Sequence, residues 1–388
     1  MDRALNRTKR FLHKHRGSII AGVCTGVVIA GIVRARRAVN DAISLIDDAE
    51  RRWSRQMTEL HRRKHHLSRI RQECDVTLLR FVASLSSSLH SQFSDSSAIV
   101  QQIKQLRERR LLDASSVSVG DEKALWDKLR VVSLTHFMVG FYSFNILHVV
   151  IRIQMHILGR YNFIRSSSDG GEAESQEERS PFSREVRGEF LSLTYNFILG
   201  GGLQMLRDAL SPIVEEIFTD CEHTKKLDCE TIIGRLRRVR EKFDHAGLVP
   251  SPLVKYIMVP DHVLKNACPA AQSMLNETWD IVESPQFAEA MSGVLDKSLE
   301  VFSDQILRNI FTSPNAKIGD EADGTSEITH PVTKPVANVI NQLKPSKTIL
   351  VVDNDKSIHA EATSHLPVLQ NLCEAIFDSE EDSESEET

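Results

Sequence analysis

The chain has 388 residues, enough for one large domain or two ordinary ones. Aromatics make up 6%, glycine (18) and proline (12) are modest, and the net charge is -5, which excludes collagenous, low-complexity and disordered classes. The charge is uneven: residues 1–80 hold 18 Lys and Arg against 8 Asp and Glu, or +10, leaving -15 for the remainder. A basic end of this kind suits nucleic acid or an anionic membrane surface, and the sequence between its basic clusters favours the membrane.

Residues 17–33 (GSIIAGVCTGVVIAGIV) are apolar or small throughout, after a basic segment, 1–16, and before Arg34, Arg36 and Arg37. At ~1.5 Å per residue they span roughly 25 Å, short for a bilayer core but extendable by snorkelling arginines. A cleaved signal peptide is the main rival; Arg-Ala-Arg-Arg after the apolar run is a poor cleavage site. The expectation is an uncleaved transmembrane anchor, weakly oriented because both flanks are basic. Gly22 and Gly26 form one small-residue pair of a kind that is common by chance.

From Ala35 to about Leu89 there is neither proline nor glycine, and apolar residues recur at steps of three and four through Val39, Ile43, Ile46, Leu60, Leu67 and Ile70. One long helix is expected, whole or broken. His61 and His65 stand four apart, as metal ligands can, but Arg62, Arg63, Lys64 and His66 oppose a cation, so a solvated basic face is preferred. A break at Ser94–Ser97 and a shorter helix over 98–112 follow, then a serine-rich linker.

The stretch from Asp121 to Ile164 organises the chain. Asp121 and Glu122 suit a helix start, and Val131 to Ile151 carries no formal charge, with apolar residues on every side of the helical wheel. Such a helix is the buried centre of a large bundle or a membrane span. His136, Asn145, His148, Arg152, Gln154 and His156 would be expensive against lipid, which favours burial inside a protein.

Residues 166–179 are polar and acidic and predict a mobile surface loop. Ser180-Pro181 predicts a helix start, with the helix running to about Thr219 and interrupted by Gly200, Gly201 and Gly202. No strand precedes these glycines and no Lys-Ser/Thr follows, so a kink or close helix approach is favoured over a phosphate loop. Asp228 caps a helix to about His245, and LVPSPLVKYIMVPD predicts a proline-broken connection with a short extended piece. Ser284-Pro285 opens another helix to about Ile310. Asn276-Glu277-Thr278 has the form of a glycosylation sequon but sits in a poor acceptor context. Residues 312–333 form a second polar loop. KTILVVDNDK resembles the first strand of a receiver domain, yet too little chain follows, so a short extended segment is expected. A last helix covers His365 to Phe377, and residues 379–388 form an acidic tail.

The six cysteines, at 24, 74, 221, 229, 268 and 373, form no C-x-x-C pair or zinc spacing, and no nucleophile elbow or Walker loop is present. Nothing points to an enzyme, a metal or a cofactor.

Two blocks carry a family likeness. LWDKLRVVSLTHF with VVIRIQMHILGRY, and MLNETWDIVESPQF at Met274 to Phe287, resemble segments of peroxin-3, and the order of basic end, anchor and helical body matches as well. From the residues alone, Trp126 reads as a core aromatic before an exposed anchor. The resemblance implies the reverse: Trp126 lies in the apical groove that takes the N-terminal helix of peroxin-19, with Leu129 close by and Leu125 at a further aliphatic position. Lys123 stands nearer the tryptophan than the family spacing and is left out. The reading is therefore all-α: an anchor at 17–33, then one large cytosolic helical bundle over 34–378 built around a long apolar central helix. The implied function is a peroxisomal membrane docking receptor whose partners are peroxin-19 with its membrane-protein cargo, and membrane lipids through the anchor, without nucleic acid. The alternative is a membrane-anchored adaptor or tether for another partner, such as an organelle-inheritance or autophagy factor.

Overall fold

The computed structural model describes residues 16–112, 119–168, 181–245, 253–311, 332–353 and 356–379, with backbone only for 16–50, 112, 119 and 165–168. The chain divides into two compact units, residues 1–66 and 67–388. Helix α1, Arg16–Gln92, runs unbroken for 77 residues and serves the first unit to His66 and the second from Leu67. Residues 17–33 are helical, but their side chains, and so the features of the expected anchor, lie outside the described residues. In the first unit Trp53, Met57 and Leu60 are exposed among basic residues, so the helix has a solvated surface there.

The second unit is built around α3, Val119–Ser168. Every residue from Phe137 through Gln154 is buried. This helix is long and apolar enough to cross a membrane, but 94% of its most apolar window is buried inside the protein. Around it pack α2 (Asp95–Leu112), α4 (Arg184–Phe197), α5 (Leu203–Phe218), α9 (Pro269–Glu283), α10 (Pro285–Val301), α12 (Val336–Gln342) and α14 (Pro367–Asp378). The remaining helices are α6 (Cys229–His245), α7 (Val254–Ile257), α8 (Asp261–Leu264), α11 (Arg308–Phe311) and α13 (Ile358–Ser364). Two π-helical segments (Ile198–Gly202 and Phe302–Leu307), a 3-10 turn (Pro345–Lys347) and two antiparallel pairs of two-residue strands complete the regular structure of the described residues: β1 (Lys226–Leu227) with β2 (Lys334–Pro335), and β3 (Val352–Asp353) with β4 (Lys356–Ser357). The KTILVVDNDK segment thus ends in a small hairpin, as its length required.

Several polar residues of α3 find partners inside the bundle, as a buried central helix demands, whereas the buried Thr135 hydroxyl makes no hydrogen bond among the described residues. Asn145 donates to Phe141 O (2.8 Å) and to Ser298 Oγ (3.2 Å), and Gln154 donates to Thr194 Oγ1 (3.0 Å). Arg152 donates from Nε to His148 Nε2 at 2.8 Å, which leaves His148 with its proton on Nδ1, 3.2 Å from Thr363 Oγ1. Further along, Arg160 pairs with Glu277 at 2.7 Å, so the LNET block docks α9 on the far half of α3. Within that block Thr278 is fully buried and donates to Met274 O (2.8 Å), so it is part of a packed helix face.

Local caps follow the sequence closely in two places. Asp228 Oδ1 accepts from Thr231 N (2.6 Å) at the start of α6, and Ser284 Oγ accepts from Phe287 N (3.1 Å) with Pro285 in the first turn of α10. Two expectations are corrected. The helix expected from Ser180-Pro181 begins at Arg184, where Ser183 accepts from Val186 N, so the cap lies three residues later than the Ser-Pro pair suggested. The extended piece expected in LVPSPLVKYIMVPD is instead the single turn α7 followed by α8, because Tyr256 and Ile257 are drawn into the core and a helical turn buries both. The loops expected at 166–179 and 312–333, the tail 379–388 and the linker after Leu112 fall almost entirely outside the described residues. Cys74, Cys221, Cys229, Cys268 and Cys373 are all free thiols.

Candidate partner-binding groove

The first turns of α3 carry the residues expected to bind a partner. Leu125 and Trp126 are half-buried against the core and Leu129 is 7% exposed. Trp126 and Leu129 line a surface groove of about 520 Å³. Its first wall is α2, through Ser97, Val100, Gln101 and Lys104, and its second is α12 and the residues after it, through Ile340, Asn341 and Lys344. Ser133 and His136 extend its floor along α3. Leu125 is not part of this lining; it packs on the core beside it.

Trp126 is held firmly. Its ring stacks on His223 with centroids 5.0 Å apart and planes 8° apart, and the Arg107 guanidinium lies 5.3 Å from the ring centroid. Arg107 and Arg110 both reach Glu122, at 3.1 and 3.2 Å, tying the end of α2 to the start of α3. Arg107 holds the Glu122 carboxylate below its usual range. The Trp126 indole N–H is buried and makes no hydrogen bond among the described residues. His223 is carried by the turn after α5, and that turn is fixed by Arg130, which donates to Cys221 O (2.7 Å) and to Asp127 (2.6 Å). Lys123 bonds Glu222 across the same junction at 2.7 Å. Trp126 is therefore both a partly packed residue and part of an accessible groove.

The groove is apolar along Trp126, Leu129, Val100 and Ile340, with Lys104 and Lys344 as cations at its edge. Val100 is 37% exposed, so apolar surface is open there. His136 stacks on Phe93 (centroids 4.5 Å, planes 13°), and burial pushes its imidazole down to about 4, helped by His90 and Lys344. It is a neutral, apolar-faced wall at physiological pH. Val100 and Lys104 share a face of α2 at helical spacing, a signal readable in sequence. The α12 wall carried no such signal, because its distance along the chain hides its place beside α2.

No group of three His, Cys, Asp or Glu side chains among the described residues is placed to hold a metal. What the geometry offers is a groove of mixed polar and apolar lining, with a rigid aromatic and an apolar strip through Val100, Leu129 and Ile340, which suits an amphipathic helix.

The family model for peroxin-3 matches residues 84–379, three quarters of the chain, and this span includes the groove and the LNET block. The chain belongs to the peroxin-3 family. Curated relatives cover most of its length at low identity. The human peroxisomal biogenesis factor 3 is 22% identical over 348 residues, 85% of this chain and 86% of that protein. The bovine peroxisomal biogenesis factor 3 is 22% identical, covering 87% and 88% of the two chains. Peroxisome biogenesis protein 3-2 of Arabidopsis thaliana is also 22% identical, covering 92% and 94%. The peroxin-3 match begins within the last third of α1, so the family's shared pattern resides in the bundle.

Proposed function

We propose that this peroxin-3 family member acts in peroxisome biogenesis as a membrane docking receptor, and that its groove takes the N-terminal helix of peroxin-19. The family match and the relatives named as peroxisomal biogenesis factors support the role in peroxisome biogenesis. The finer reading is carried by one observation: an accessible groove between three helices, with an apolar strip set among polar residues and a clamped tryptophan in its lining. Helix-in-groove binding seats apolar residues spaced i, i+3/i+4 and i+7 on such a surface, and buried tryptophans are typical hot spots. Trp126 and Leu129 form the contact surface, and Leu125 supports it from the core. Residues 17–33 anchor the chain in the peroxisomal membrane, with the bundle facing the cytosol. The receptor works by binding energy and localisation, without catalysis.

The test is isothermal titration calorimetry of the chain with an N-terminal helical peptide of peroxin-19, alongside Trp126→Ala. Binding at one-to-one stoichiometry, weakened by roughly 2–4 kcal/mol in the variant, is the expected result. Unchanged affinity in a folded Trp126→Ala protein moves the site elsewhere. A folded parent protein that does not bind the peptide rejects the docking role and leaves the tether reading in its place.

A further inference from the structure

A second cleft lies away from the groove, between the α1 segment 71–79, the middle of α3 and the β4–α13 segment. Its volume is about 200 Å³, below the roughly 300–1,000 Å³ of pockets for drug-sized ligands, so it suits a fragment-sized group. Leu78, Leu79 and Ala360 supply apolar surface, and Arg71, Arg152 and Lys356 supply charge.

Arg152 is the decisive residue. It is only 2% exposed, and it spends Nε on His148 (2.8 Å) and Nη2 on Asp75 (2.7 Å) and Ser364 (2.5 Å). Its Nη1 makes no hydrogen bond among the described residues and is not sealed from solvent. A guanidinium held rigidly on one side, with donors unspent on the other, is built to receive an oxygen acceptor. The lining holds three cations against two carboxylates, Asp75 and Glu361. Asp75 is already engaged by Arg152. Glu361 faces Lys356 at 3.6 Å with both side chains more than half exposed, a loose pair that an incoming anion can replace. Arg71 turns outward to Glu374 at 3.4 Å and is similarly free to reorient.

We propose that this cleft binds a carboxylate carried on a short branched apolar stem, with the carboxylate on Arg152 Nη1 and Lys356 and the stem against Leu78, Leu79 and Ala360. The same chemistry is presented by a small organic acid and by a glutamate flanked by leucines in a peptide. This site is independent of the groove and of the docking role.

The experiment measures the melting temperature of the full chain in lipid nanodiscs with 4-methylpentanoate, 4-methylpentan-1-ol, 4-methylpentan-1-amine or acetyl-Leu-Glu-Leu-amide, since a ligand that binds only the native state raises it. The carboxylate is expected to raise it where the alcohol and amine do not. A response to the peptide as well assigns the site to a protein partner, and a response to the free acid alone assigns it to a small metabolite. The double variant Arg71→Gln/Lys356→Gln, at a half-buried and an exposed position, is expected to need about fivefold more ligand for the same rise. Arg152→Lys, which keeps the charge and loses the fork, is expected to lose the response. An amine as effective as the acid, no response to either carboxylate, or a response that survives in these variants overturns the proposal.

Discussion

Arg152 sits on an otherwise apolar stretch of α3, so its charge must be balanced where it stands. The balance comes from three elements: Asp75 on α1, His148 one turn earlier on α3, and Ser364 at the end of α13. Removing one member of such a set leaves the others desolvated and unpaired, which costs more than the pair contributes when intact. Arg152→Ala is therefore expected to destabilise the bundle by roughly 3–5 kcal/mol in urea unfolding. Asp75→Asn should cost less, about 1–3 kcal/mol, because the amide oxygen that replaces the carboxylate can still accept from Arg152 although the buried guanidinium loses its counter-charge. Equal losses for both variants would mean that the network is not anchored at Arg152. The sequence exposed the polar members of α3, since each interrupts an apolar run. Their partners were hidden, because Thr363 and Ser364 lie more than 200 positions away and nothing local marks them.

Elements whose signal is local were legible, and those set by a distant neighbour were not. Asp228 and Ser284 cap their helices because a short side-chain oxygen before a helical run satisfies its own backbone donors. The segment around Tyr256 instead takes its helical turn from the core it enters, where apolar pattern alone suggested an extended piece. The three glycines show both sides of this. A kink or a close helix approach was expected of them, and the close approach to another helix is at Gly202: a Cβ there would lie 2.5 Å from the Tyr256 carbonyl oxygen, where α7 crosses a π-helical turn, Ile198–Gly202. At Gly200 a Cβ would meet nothing within 4 Å. Gly202→Ala is expected to destabilise by roughly 1–3 kcal/mol, since backbone on both sides must shift. Gly200→Ala is expected to be neutral or to stabilise by up to about 1 kcal/mol, the helix-propensity gain. Chemical denaturation of the two variants separates a packing role from mere flexibility: if both behave alike, the close approach at Gly202 carries no weight.

At the scale of the whole bundle, the all-α class and the central helix followed from an apolar stretch too polar in its details for lipid. The groove did not, because residue patterns placed Trp126 in the core and only the family likeness turned it toward a partner. In the structure the ring is packed on His223 and also lines the groove. The same deep burial gives the bundle a pH dependence. Burial pushes His136 and His359 down to about 4, and His148 further below its ordinary value. The folded protein therefore holds these imidazoles neutral where the unfolded chain, near 6.5, takes up protons. Their contribution to stability is complete above about pH 6.5 and is lost as pH falls toward 4, at up to about 4 kcal/mol per pH unit if all three titrate together. Asp75 and Asp244, whose carboxyls are raised by burial, gain protons earlier in the folded state and oppose part of this loss. Asp220, held low by its Arg235 and Lys225 partners, adds a loss only below the ordinary carboxylate range. Urea midpoints measured from pH 7.5 to 4.5 should fall steadily below about 6.5. His359→Gln should flatten the slope by about one proton's share, because it removes one of the three buried imidazoles. A midpoint that stays level across that interval would mean that the buried histidines take up protons as readily in the folded protein as in the unfolded chain.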